Sequence, residues 1–145
     1  NRINITLGGF IMGLYDKLVG NATLTTKTDY IDDYLLDNED VIMAYQFIRD
    51  SIILTNLGIY IIDVQGITGK KVEVKFFPAK TIKTISFETA GNFDLDVDIK
   101  IGVDGNTVVN QQGIYHSAPI SFKVPRSQAK EAKEIVNLIK KYYLC

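Results

Sequence analysis

The chain has 145 residues, enough for one domain with a single sizeable core and too few for two ordinary ones. Its 46% hydrophobic and 23% charged residues describe a folded globular protein and exclude a disordered one. Sixteen basic against seventeen acidic residues leave a net charge of −1, without the basic excess that binding to nucleic-acid phosphates requires.

Apolar runs such as Ile59-Tyr60-Ile61-Ile62 are far shorter than the ~20 residues that span a bilayer. Residues 1–11 show no basic, apolar, small-residue progression of a secretory signal, so a soluble cytoplasmic protein is expected. Met12-Gly13-Leu14-Tyr15 reads as a natural start, which makes residues 1–11 an upstream extension or an expression remnant. Residues 12–145 are then expected to form one domain. It divides into a helical segment over 12–40, strands over 41–124 and a helix over 127–143.

In chain order, Leu14 to Val19 suits a short helix stopped by Gly20-Asn21. Asp29 to Leu36 suits another, with Tyr30, Ile31, Tyr34 and Leu35 on one face and acidic residues in its first turns. The period then changes. Val41–Ile48 and Ser51–Thr55 read as a hairpin, Ile59–Val64 as a third strand and Lys71–Phe77 as a fourth. In the fourth, Val72, Val74 and Phe76 alternate with Lys71, Glu73 and Lys75, and Pro78 ends the run. Ile82–Thr89 is a fifth strand. In the next, Phe93, Leu95, Val97, Ile99 and Ile101 face one way while Asp94, Asp96, Asp98 and Lys100 face the other. Thr107–Pro119 suits either a hairpin arm or a loop, and Ile120–Val124 is a last strand. Ser127 is a suitable N-cap for a helix through about Tyr143, whose apolar face carries Ala132, Ile135, Val136, Leu138, Ile139, Tyr142 and Tyr143. About seven antiparallel strands closed by one helix make a mainly β fold. A bent sheet plugged by the C-terminal helix buries these faces, which is the outline of a pleckstrin-homology-like (PH-like) barrel.

The sequence also resembles the bacterial pleckstrin-homology domain family. The resemblance runs through Met12-Gly13-Leu14, Asp16-Lys17-Leu18, Ala44-Tyr45, Ile48-Arg49-Asp50 and Leu54-Thr55-Asn56. It continues through Gln65-Gly66, Thr68-Gly69-Lys70-Lys71, Glu88-Thr89-Ala90-Gly91 and Phe93-Asp94-Leu95-Asp96, and departs at a longer Thr107–Pro119 segment. It implies seven strands with one helix, often a ring-like homo-oligomer, and no enzymatic activity.

The residues offer few sites for chemistry. His116 is the only histidine and stands beside Ser117 without a glycine-bracketed nucleophile motif, so it is expected to be an exposed histidine of no catalytic consequence. Cys145 is the only cysteine, which rules out an intramolecular disulfide, and it stands too close to the end for a prenylation box. Asp94, Asp96 and Asp98 have an acidic spacing reminiscent of calcium loops, but Ile99 and Gly105 stand where a glycine and a closing glutamate are required. Alternate side chains on a strand are also ~6.6 Å apart, too spread to wrap one ion. These aspartates are expected to be a solvated strand face or a subunit interface. Gly66-Ile67-Thr68-Gly69-Lys70-Lys71 has two residues where a P-loop needs four between its glycines. Lys70, Lys71, Lys75, Lys80 and Lys83, against Glu73, form the one basic region that could hold an anion or an interface. Arg49 beside Asp50, with Glu39 and Asp40 near in sequence, cannot neutralise several inositol-lipid phosphates.

Residues 28–50 hold seven acidic groups and one arginine, and residues 67–83 five lysines and one glutamate. Such opposed patches suit head-to-tail assembly. The expected function is a non-catalytic interaction module that self-associates and binds protein or peptide partners, with no cofactor, metal or nucleic acid. The alternative is a peripheral membrane adaptor binding anionic lipid through Lys70–Lys83.

Overall fold

The computed structural model describes residues 18–19, 23–25, 28–89 and 96–145. Two sheets form the body. One has the order β2-β3-β4-β5-β6, from Thr23–Leu24, Val41–Gln46, Ser51–Thr55, Gly58–Gln65 and Lys71–Pro78. The other has the order β1-β11-β8-β7, from Leu18–Val19, Ile120–Pro125, Asp96–Val103 and Ile82–Thr89. β9 (Thr107–Val109) and β10 (Tyr115–Ser117) form a separate hairpin. The seven strands expected from the sequence are therefore present as β3–β8 and β11, and the fold is mainly β with a C-terminal helix.

The continuous apolar character of β3–β5 has a direct cause, because these strands are buried on both faces. Tyr45, Phe47, Ile52, Leu54 and Ile59 face the main core between the sheets, where they meet Ile99, Ile101 and Phe122. Phe47 and Phe122 stack across the gap with ring centroids 6.1 Å apart. On the opposite face Val41, Ala44, Ile53, Tyr60 and Ile62 are covered by Ile31 and Leu35 of the preceding segment. Val41 and Met43 belong to different faces although strict alternation would put them on one, because a bulge between them shifts the register.

The helix α1 spans Ala129–Ile139 and lays Ala132, Ile135, Val136 and Ile139 on the core against β7, β8 and β11. Two hydroxyls tie this end to the first sheet. The buried Tyr45 donates to Glu134 Oε1 at 2.7 Å, and Tyr143 donates to the carbonyls of Thr55 and Gly58 at 2.7 and 2.9 Å.

Several sequence expectations need correction. Leu18–Val19 is not helical; it pairs in parallel with Phe122–Lys123, and Leu14–Lys17 lie outside the described residues. Between Asp29 and Leu36 there is one 3-10 turn, Asp32–Tyr34, with Tyr34 72% exposed. Ile31 and Leu35 alone reach the sheet, so a single turn suffices to bury them. Ser127 does not cap α1, because a 3-10 turn at Arg126–Gln128 precedes the helix and Gln128 takes the N-cap position. The α-helix ends at Ile139 and continues as a π-helical turn over Lys140–Leu144. Thr107–Pro119 resolves into the β9–β10 hairpin. Phe93 and Leu95 lie outside the described residues, and the strand containing Val97, Ile99 and Ile101 begins at Asp96.

Candidate functional site

Among the described residues β6 is the last strand of its sheet and pairs with β5 alone. Alternation along it divides its side chains between two surfaces. Val72, Val74 and Phe76 do not join the main core; Val72 packs on the outer cluster, while Val74 and Phe76 are each 40% exposed. Phe76 rests against Tyr60 with ring centroids 4.6 Å apart. Glu73, Lys75 and Phe77 face the other way, and Phe77 enters the core. The sequence assigned β6 an apolar inner face. The structure turns that face outward, because the outer surface of this sheet carries a core of its own.

Behind β6 lies a cavity of about 490 Å³, between the inner face of β5–β6 and the segment leading from Asn106 to Ser121. Ile61, Phe77 and Ile120 supply apolar wall. Lys75 is held at the wall, its Nζ 3.3 Å from Asn106 Oδ1 and 4.0 Å from Glu73 Oε1. Asn106 is itself buried and fixed by donating from Nδ2 to the Ala118 carbonyl at 3.0 Å. Asp50 and Asp63 line it too, with Asp63 directly across from Glu73 on the neighbouring strand. Asp50 Oδ1 accepts the Val64 N–H at 2.9 Å, and Asp63 Oδ2 accepts from Gln65 Nε2 at 2.8 Å. Burial first, and then the neighbouring Asp63, push the Asp50 carboxyl above its ordinary range; the Val64 N–H and Arg49 oppose them without cancelling them.

The lysines singled out in the sequence do not form one patch. Lys70 and Lys71 are exposed before and at the start of β6, Lys75 lines the cavity, and Lys80 follows the far end of the strand. Eight residues of strand separate those ends by roughly 25 Å. Lys83 reaches Asp104, Nζ to Oδ2, at 3.9 Å. Asp96 and Asp98 flank Lys123 of the adjacent β11, with its Nζ 4.0 and 3.8 Å from their carboxylates. Asp94 lies outside the described residues. His116 is exposed on β10 at the cavity mouth, and Cys145 is an exposed free thiol. Arg49 donates from Nη2 to the Gly66 carbonyl, tying the 47–50 turn to the turn after β5. Among the described residues no three His, Cys, Asp or Glu side chains group as a metal site, and no helix is long and apolar enough to cross a membrane.

Sequence reasoning missed Asp50 and Asp63 as cavity residues. Asp63 left a signal, a carboxylate near the end of the apolar run Ile59–Val64. Asp50 left none, because an aspartate in a polar turn is ordinary.

Comparisons with known proteins agree with this architecture. The model of the family described as "Bacterial PH domain" matches residues 13–140. The uncharacterized protein YjqA of Bacillus subtilis is 44% identical over 97 residues, covering 65% of this chain and 78% of that protein. The uncharacterized protein YvbH of the same organism is 36% identical over 83 residues, covering 54% of this chain but only 40% of its own length. Among solved structures, a pleckstrin-homology-domain protein from Shewanella loihica superposes with a TM-score of 0.69 at 30% identity, covering 86% of this chain and 99% of the other. A pleckstrin-homology domain from Shewanella amazonensis gives 0.60 at 31% identity, covering 81% and 85%. None of these names assigns an activity. With the family's model matched across residues 13–140 and its strand order and closing helix in place, the chain belongs to the bacterial PH domain family.

Proposed function

We propose that this protein is a non-catalytic interaction module that self-associates and binds protein or peptide partners along β6. The carrying observation is that β6 has no second strand partner among the described residues, together with the exposed Val74 and Phe76. An unpaired edge offers backbone N–H and C=O groups to an added strand, and side chains on alternate positions give that addition its selectivity. Charge supports the reading as well. Asp29, Asp32, Asp33 and Asp37 are exposed around the segment that covers the outer sheet face, while Lys70 and Lys71 are exposed at the start of β6. Copies meeting through these regions would pair opposite charges.

Lipid binding through Lys70–Lys83 is the weaker reading, because those lysines spread along the length of β6 and past it. The test is a pair of variants, Val74→Glu and Phe76→Ser, compared with the wild type by light scattering after size exclusion. Each is expected to fold and to shift the protein toward a smaller species. Unchanged assembly in both would remove β6 as the interface. Sedimentation with anionic vesicles should leave the wild type in the supernatant; salt-sensitive co-sedimentation would favour the adaptor reading instead.

A further inference from the structure

We propose that the cavity behind β6 is a binding site for a primary alkylammonium group. This goes beyond self-association through the outer face of β6, since the cavity lies on the inner face of that strand and does not depend on an added strand.

Size, wall and charge converge on this class. At about 490 Å³ the cavity falls within the ~300–1,000 Å³ range of small-molecule sites. Its hydrocarbon wall of Ile61, Phe77 and Ile120 suits an alkyl chain rather than a fully hydrated ion. Three carboxylates, Asp50, Asp63 and Glu73, face the single ammonium of Lys75. That ammonium is held by Glu73 and Asn106, and one lysine does not balance three lining carboxylates, of which Asp63 stands directly across from Glu73. Arg49 donates to the Gly66 carbonyl; it favours the ionised form of Asp50 without cancelling the effect of burial and Asp63. Asp50 and Asp63 are positioned before any ligand arrives, through Val64 N–H and Gln65 Nε2. A cation entering here gains two acceptors whose orientation costs nothing further, whereas a phosphate would meet the same charges as repulsion. A bare divalent ion is disfavoured as well, because it needs six or more converging oxygens and among the described residues no three acidic or ligating side chains group closely enough.

The chemistry has two possible sources, a lysine side chain on a partner or a free diamine. Isotope-edited NMR of the full chain separates them, following the amides of Val64, Asn106 and Ser121. The probes are Nα-acetyl-lysine amide, 1,5-diaminopentane, the neutral isostere Nα-acetyl-norleucine amide, and inorganic phosphate. Saturable shifts at these amides are expected with at least one ammonium probe. Tighter binding of the lysine amide identifies a peptide source, and tighter binding of the diamine a free amine. Asp63→Asn and Asp50→Asn should each weaken the response at least tenfold. Asp63 is only half-buried, so its variant keeps the test intact if the Asp50 variant fails to fold. Equal shifts with the norleucine isostere, no saturable shift with either ammonium, or undiminished binding in Asp63→Asn would overturn the proposal. Because the probes are monitored at the inner face, failure here leaves the β6 interface standing, and loss of self-association leaves this site standing.

Discussion

Glu39 shows how one buried charge organises the outer layer. It is 1% exposed and accepts hydrogen bonds from the Thr55 hydroxyl at 2.7 Å, the Tyr60 hydroxyl at 3.1 Å and the Leu36 N–H at 3.2 Å. Those donors pin the segment carrying Ile31 and Leu35 onto the sheet. Glu39→Ala would strand them, and should lower stability by roughly 2–4 kcal/mol. Urea unfolding should show this as a lower midpoint at unchanged slope, with a smaller loss in Glu39→Gln. Tyrosine ionisation adds a pH dependence. Burial and then the Glu39 charge push Tyr60 up to about 12; burial also raises Tyr45 and Tyr143, Tyr45 with added help from Glu134. Their neutral forms are favoured in the folded state, so the unfolded chain loses these protons first. The stabilisation is complete below about pH 10 and declines above it, by up to ~1.4 kcal/mol per pH unit for each such tyrosine. Urea midpoints from pH 9 to 11.5 should fall steeply, and less steeply in Tyr60→Phe. A flat profile would contradict these environments.

At the scale of elements, Gly58 lets the start of β5 lie close against β6. A Cβ there would lie 2.2 Å from the Phe77 carbonyl oxygen of β6, which is fixed backbone. At Gly102 the corresponding clash, also 2.2 Å, is with the Thr84 hydroxyl, which can rotate away. Gly58→Ala should therefore lower the melting temperature markedly more than Gly102→Ala, and equal effects would contradict the close approach of the start of β5 to β6. The strands were readable in the sequence for a physical reason. Alternation in Val97, Ile99 and Ile101, and the run through β3–β5, are direct imprints of burial on one face or both. The conformations of Leu18–Val19 and Asp29–Leu36 were not readable, since the pairing of the first with β11 and the single turn at Asp32–Tyr34 are set by distant partners. The inward aim of Glu73 and Lys75 was hidden for the same reason. It depends on a second core outside the sheet, built from Ile31 and Leu35 far upstream.

In the whole molecule these features divide the labour between two surfaces of one sheet. The outer surface carries the layer pinned by Glu39 and the exposed stripe of Val74 and Phe76; the inner surface carries the core and, beyond it, the carboxylate-lined cavity. The family's fold is shared across proteins whose names assign no activity, so function has to be argued from these surfaces. Self-association along β6 is the central claim, and sedimentation velocity of the wild type at low and moderate salt tests it most directly. The account predicts a species heavier than the 16.2 kDa chain, with the greater share assembled at low salt. A monomer under both conditions would contradict it.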